Sequence, residues 1–347
     1  GLGVDHFEDI LGSYQGDTGD RILVTRADQV SQLFTMHKGR QIRIFPKGDK
    51  RFFSALGEVI DFEQSGAGEG RRLLIQGVFL AGERGEAFHT ESQKYRQESV
   101  RFQSGTAELA GTLLIPDGDG PFPAVILVHG AGASERHFYR VFADHFAQEG
   151  SAALIYDKRG SGGSTRADQL QNSKDLAGDV SAGVDFLASH PSIAPDKIGV
   201  WGLSQGGRIA PMTAEGNASV AFIITVSAPG APAEVYSLLE LKKVYREAGF
   251  NDPLIELRLR FACPQLDFED MVGENNQTDM NLDPQEYWER VQLPTLLIYG
   301  QEDEQVPPEE SAAMIADALQ RGGNTNFKIL LFHRADHNLN LEEDVGI

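Results

Sequence analysis

Gly202-Leu203-Ser204-Gln205-Gly206 sets a serine between two glycines in the pattern G-x-S-x-G. With 38 glycines in 347 residues and serine at about 7% of an average chain, roughly 0.3 such matches arise by chance. The pentapeptide alone says little, and its setting says more. It closes an apolar run, Ile198 to Trp201, and opens a helix-like segment, Gly207 to Ala214. In that strand, turn and helix a tight turn presents the serine Oγ at the sheet edge, and small residues two before and two after the serine prevent a backbone clash. The plainer reading is a serine in a glycine-rich turn.

A serine hydroxyl is a weak nucleophile at neutral pH, so the chemistry needs a base, and the base needs a carboxylate to orient it. Downstream, the apolar run Leu296 to Tyr299 leads into Gly300 to Pro308, which carries Asp303. Loops past the carboxyl ends of strands are where catalytic groups sit in open α/β sheets. A last expected strand, Phe327 to Phe332, precedes Arg334 to Leu339, which carries His337. Glu302 and Glu304 are rival carboxylates, His333 is a rival base, and Asp336 reads as a loop residue. His333, Asp336 and His337 together also raise a metal site, although no further ligand cluster accompanies them.

Acyl transfer also needs donors for a developing oxyanion. His129-Gly130-Ala131-Gly132 follows the run Ala124 to Val128, and its small residues let the main chain approach a substrate. The expected donors are the backbone N–H of Gln205, the residue after the serine, and that of Ala131, with Gly132 as the alternative to Ala131. His129 reads as a hydrogen-bonder that supports the turn. Asp157-Lys158-Arg159-Gly160 through Ser164 looks at first like a phosphate cradle, but it fits neither G-x-G-x-x-G nor the P-loop pattern. It is read as a rim loop held by Asp157 and Arg159, with a direct substrate role as the alternative.

These groups need a scaffold. Apolar runs at 124–128, 152–156, 197–201, 222–226 and 295–299 look like strands buried on both faces. Amphipathic segments such as His137 to Gln148 and Asp175 to Ala188 lie between them. The expected fold is α/β, a mostly parallel sheet flanked by helices. Residues 233–290 are too long for a crossover and have helical spacing, so they are expected to form an inserted helical cap. Its Phe250, Phe261, Phe268, Tyr287 and Trp288 would serve as cap core or acyl-pocket wall. Residues 1–90 carry short alternating segments at 21–25, 32–36, 41–45, 59–62 and 72–79, which predict a small antiparallel β module. The boundary is expected within Ala81 to Tyr95, with the catalytic domain over 91–347 and an entry hairpin from 99–103 and 111–116.

Composition narrows the partners. Lys and Arg total 31 against 51 Asp and Glu, a formal net charge of −20, and such a surface repels nucleic acid and anionic lipid. No apolar run reaches the roughly 18 residues of a membrane span. The single cysteine, Cys263, forms no internal disulfide, and no C-x-x-C is present. The chain starts at Gly1, which reads as processing or a fragment, and with the acidic balance favours an extracytoplasmic home over the cytoplasm. Oligomeric state is left open.

The His129-Gly-Ala-Gly loop, Tyr156-Asp-Lys-Arg-Gly, Gly202-Leu-Ser-Gln-Gly, the Asp303 loop with Val306-Pro-Pro, and Asp336-His337 together resemble the α/β-hydrolase superfamily over residues 95–347. Within it the chain is similar to bacterial esterases near the dienelactone hydrolase and prolyl oligopeptidase branches. The resemblance implies a Ser204-Asp303-His337 triad, an oxyanion hole, no metal or organic cofactor, and a small-molecule acyl ester as substrate. It leaves open a peptidase or amidase, or a thioester or lactone hydrolase. Residues 1–90 are too short for the propeller that filters peptides in the oligopeptidase branch. A non-catalytic binding protein on a hydrolase scaffold is the reading from another class. The family usually has a helix after its histidine, and ten residues follow His337 here.

Overall fold

The computed structural model describes residues 10–16, 21–26, 33–37, 40–48, 50–54, 59–64, 71–79, 83–92, 95–165, 172–232, 236, 241, 244–246, 248–255 and 282–340.

Alternation builds the first unit. Strands β1 (Gly12–Gly16), β2 (Arg21–Arg26), β3 (Leu33–His37), β4 (Arg40–Pro46), β5 (Arg51–Ser54), β6 (Val59–Gln64), β7 (Arg71–Phe79) and β8 (Glu83–Ser92) pair antiparallel in chain order, and β1 pairs with β8 to close a barrel. In β5 exposed and buried residues alternate strictly, as in a strand with one wet face. Tyr14, Ile22, Val24, Ile44, Phe52, Ile60 and Phe62 fill the interior. Phe62 meets Phe52 and Tyr14 edge to face, at centroid distances of 5.3 and 5.9 Å, a favoured aromatic geometry. Within Ala81 to Tyr95, where the boundary is expected, the first strand of the next unit opens at Tyr95, and the rest of the segment is largely β8, which ends at Ser92. Its membership comes from pairing with β1 and β7 on both sides, which its own polarity does not reveal.

The second unit is an eight-stranded sheet of order β16-β15-β14-β13-β11-β12-β10-β9. The hairpin β9 (Tyr95–Ser104) and β10 (Ala107–Pro116) enters it antiparallel. Strands β11 (Phe122–Val128), β12 (Ala152–Tyr156), β13 (Ile193–Leu203), β14 (Val220–Val226), β15 (Thr295–Gly300) and β16 (Phe327–Phe332) are parallel to their neighbours in this group. The apolar runs are continuous because both faces are covered. Ala124, Ile126, Val128, Leu154 and Tyr156 face one cluster with α2 (Ser173–Ser189), α3 (Gln205–Gly216) and α4 (Pro308–Arg321). Val125, Leu127, Ala153 and Ile155 face the other, with α1 (Arg140–Gln148). Side chains alternate between faces along a strand, so every position on β12 is buried. Helix α2 starts where the Asn172 side chain accepts the Asp175 N–H at 2.9 Å, an N-cap that satisfies one otherwise unpaired donor.

The expected cap falls largely outside the described residues, including Phe261 and Phe268. Within its span, Tyr236, Leu241, 244–246 and 252–255 are helical. Trp288 is fully buried against the main core, and Phe250 packs on Tyr245 at 5.7 Å. No described helix is long and apolar enough to cross a membrane.

Candidate active site

Strand β13 ends at Leu203 and α3 begins at Gln205, so Ser204 alone makes the turn, at φ 53° and ψ −115°. A positive φ is unfavourable for a side chain with a Cβ, and such strain gathers at functional positions. Two contacts fix the turn. Ser204 N–H donates to Val226 O at 2.8 Å, and Gly207 N–H donates to Ser204 O at 2.8 Å. The flanking glycines are required by space. A Cβ on Gly202 would lie 2.3 Å from Gly206 O, and one on Gly206 would lie 2.4 Å from Val128 O. Since both obstacles are backbone, Gly206→Ala is expected to cost about 1–3 kcal/mol in urea unfolding, the usual range for overpacking. A stability equal to wild type would mean that the elbow relaxes freely.

Asp303 sits in the loop after β15 with its side chain fully buried. Its Oδ1 accepts the N–H groups of Gln305 and Val306 at 2.8 and 2.9 Å, and its Oδ2 meets His337 Nδ1 at 2.8 Å. Burial alone would raise the Asp303 carboxyl, but the His337 hydrogen bond, the two backbone donors and the His337 charge outweigh it and hold the carboxyl below its ordinary value. A carboxylate only accepts hydrogen bonds, so His337 Nδ1 carries the proton and Nε2 is left for chemistry.

His337 is tethered to the serine turn by a residue the sequence reading passed over. Ser227 Oγ donates to His337 O at 2.8 Å, and Ser227 follows Val226, whose carbonyl holds Ser204 N–H. The histidine loop and the serine turn thus share the end of β14. Ser227 has φ 51°, a second strained non-glycine residue at this site. A bare serine after an apolar strand carries no sequence signal for that role.

The rival groups are exposed or engaged by other partners. Glu302 and Glu304 are exposed. His333 is exposed and meets Gln301 Oε1 at 3.1 Å. Asp336 accepts the N–H groups of Asn338 and Asn340, both at 2.8 Å, and so shapes the loop. His333, Asp336 and His337 therefore turn to three different partners, and among the described residues no group of three His, Cys, Asp or Glu side chains converges as metal ligands.

The glycine loop after β11 lies beside Ser204: a Cβ on Gly130 would be 3.7 Å from Ser204 Cβ. Gly130 N–H is taken by Tyr139 Oη at 2.9 Å. His129 Nε2 donates to Tyr156 O at 2.6 Å. Burial, with the Lys158 charge nearby, pushes the His129 ring down to about 3, against the pull of that hydrogen bond, and keeps it neutral. The 157–164 loop is held by two ion pairs with different partners. Asp157 accepts Arg136 N–H at 2.9 Å and Gly163 N–H at 2.8 Å and faces the Arg136 guanidinium. Arg159 pairs with Asp179 on α2 at 2.7 Å.

A family model for the BAAT / Acyl-CoA thioester hydrolase C terminal matches residues 181–341, and one for X-Pro dipeptidyl-peptidase (S15 family) matches residues 104–249. Esterase EstD of Thermotoga maritima is 26% identical over 246 residues, covering 66% of this chain and 57% of that protein. Thiohydrolase aneE of Aspergillus aculeatus is 26% identical over 189 residues, covering 50% of this chain and 58% of that protein. The chain thus spans little more than half the length of these curated relatives. An esterase structure from Pyrococcus furiosus aligns with TM-score 0.53 at 20% identity, over 70% of this chain and 84% of that one. At that identity the likeness speaks for the fold alone. Both family models run through the serine turn, and the sheet behind it aligns with a solved esterase, so the chain has an α/β-hydrolase fold and is similar over its serine turn to hydrolases of that superfamily.

Proposed function

We propose that the protein is a serine hydrolase that cleaves small carboxylic esters through an acyl-enzyme. The observation that carries the reading is the buried Asp303–His337 pair at 2.8 Å, tied through Ser227 and Val226 to a serine held at φ 53°. His337 Nε2 takes the Ser204 proton as Oγ attacks the acyl carbonyl. The carbonyl oxygen becomes an oxyanion, received by the N–H groups of Gln205 and Ala131, with Gly132 as the alternative donor. Collapse of the tetrahedral intermediate expels the alcohol, which leaves with the proton from His337. Water, deprotonated by the same nitrogen, then releases the acid and restores Ser204. Asp303 holds the imidazole in the required tautomer and stabilises its cation. The scheme uses no metal or organic cofactor.

A thioester substrate is the second reading, favoured by the acyl-CoA thioester hydrolase model over 181–341 and by the thiohydrolase relative. The same geometry serves both, because a thiolate leaves more readily than an alkoxide.

The test is a p-nitrophenyl ester series of increasing acyl length beside matched acyl thioesters and aminoacyl anilides, with a fluorophosphonate labelling lane. Ester or thioester turnover with labelling at Ser204, and anilides far slower, is the expected result. Anilide turnover above ester turnover would move the protein to the peptidases. No labelling and no turnover would leave a binding protein on a hydrolase scaffold.

A further inference from the structure

Lys158 belongs to the loop after β12 and is 5% exposed. Its ammonium donates to Gly130 O at 3.0 Å, to Gly132 O at 3.1 Å and to Gln205 Oε1 at 2.8 Å. An ammonium has three protons, and all three are spent on the two segments proposed to supply the oxyanion donors.

Peptide planarity gives this contact a consequence. In a trans peptide the C=O and the following N–H point in opposite directions. A cation on Gly130 O therefore turns the Ala131 N–H to the opposite edge of that plane, and its hold on Gly132 O fixes the Gly132–Ala133 plane, so the intervening peptide with the Gly132 N–H is bracketed by two fixed planes. The Ala131–Gly132 segment is pinned at both ends. Gly130 N–H is committed to Tyr139 Oη, and among the described residues no acceptor takes the N–H of Ala131 or Gly132. On the other side of Lys158, Gln205 opens α3, where the first backbone N–H groups have no partner within the helix. The Gln205 side chain, drawn to Lys158, is held by the same cation.

On the serine hydrolase reading above, we propose that Lys158 is the positioning residue of the oxyanion hole, fixing the donor-bearing peptides before substrate arrives. A cation on a carbonyl oxygen also polarises its amide and strengthens the N–H as a donor. Preorganised donors aimed at developing charge are usually the largest catalytic term.

Energetics point the same way. Burial pushes the Lys158 ammonium down to about 8, against the pull of the Asp179 carboxylate. A lysine depressed in the folded state works against folding at neutral pH, and the penalty fades only as pH rises past that value toward the ordinary lysine range. A charge retained at a cost to folding, with every donor spent on the 130–132 loop and Gln205, fits a role in turnover better than one in stability.

The test is Lys158→Met, read on a p-nitrophenyl ester for kcat and KM, on a boronic acid that forms a tetrahedral adduct with the serine, and on thermal unfolding. The expected result is a kcat lower by about 10²-fold and boronate affinity weakened in proportion, with KM within about threefold and a cooperative transition retained. A kcat within about threefold of wild type, or kcat, KM and unfolding midpoint deteriorating together, would overturn the proposal. Should Lys158→Met fail to fold, Gln205→Leu removes one acceptor and leaves the ammonium and both carbonyl bonds. It should lower kcat without raising KM, and an unchanged kcat there would also overturn it. A wild type that neither turns over ester nor takes the phosphonate label rejects the hydrolase reading itself, before Lys158 is touched. An active, labelled wild type with a fully active Lys158→Met rejects only the positioning role.

Discussion

Ser204→Ala is expected to lower ester turnover by about 10⁵–10⁶-fold and to abolish phosphonate labelling, while the unfolding midpoint stays within about 2 °C of wild type. The activity loss follows from chemistry: without Oγ no acyl-enzyme forms, and what remains is water attacking a substrate held by the oxyanion donors. The preserved stability follows from geometry. The turn at φ 53° is kept by backbone contacts, Ser204 N–H to Val226 O and Gly207 N–H to Ser204 O, which alanine retains. Alanine has the same Cβ and the same strain. Ser204→Gly is the informative partner, since glycine accepts positive φ without penalty and should raise stability while remaining inactive. An alanine variant with activity within about tenfold of wild type would remove Ser204 from the mechanism and send the search to another nucleophile.

Sequence made the central sheet legible for a physical reason. Strands such as Ala152–Tyr156 are covered on both faces, so their apolar runs are unbroken and their ends are sharp. Asp303 and His337 could be singled out because each lies in the loop after a strand, although the strand before His337, at the sheet edge, is largely exposed. The barrel was less legible. Strands β1, β5 and β8 carry no marked alternating run in the sequence: β5 is only four residues long, β1 and β8 have few apolar side chains, and the pairing of β1 with β8 joins opposite ends of the unit. Closure between residues near 12 and residues near 92 leaves no local trace. At the site, Ser227 and Lys158 were invisible as tethers. A serine after a strand and a lysine in a glycine-rich loop carry no pattern that names a partner, and only the folded chain brings Ser227 to His337 O and Lys158 to Gly130 O. The rim loop was seen to be held by Asp157 and Arg159, but not that they answer to Arg136 and Asp179, partners 21 and 20 residues away.

Asp303→Asn separates orientation from mere presence of a polar group. The amide is isosteric, and its oxygen can still accept the N–H groups of Gln305 and Val306, as Asp303 Oδ1 does. Those two donors forbid the flipped amide, so its NH2 must face His337 Nδ1. A donor there requires Nδ1 to accept, which moves the imidazole proton to Nε2, the nitrogen that has to take the Ser204 proton. The tautomer is then wrong by construction, and kcat should fall about 10⁴-fold with KM little changed. Stability carries an independent signature. The folded Asp303 carboxyl is held below its ordinary value, so its ionisation stabilises the fold above that value and the contribution is lost as pH falls through the folded pKa. Asp303→Asn should therefore unfold at a lower temperature than wild type at pH 7, with the two converging in strong acid. Near-normal turnover in the asparagine variant would return the orienting role to Glu302 or Glu304, whose exposed side chains would then have to move to reach His337.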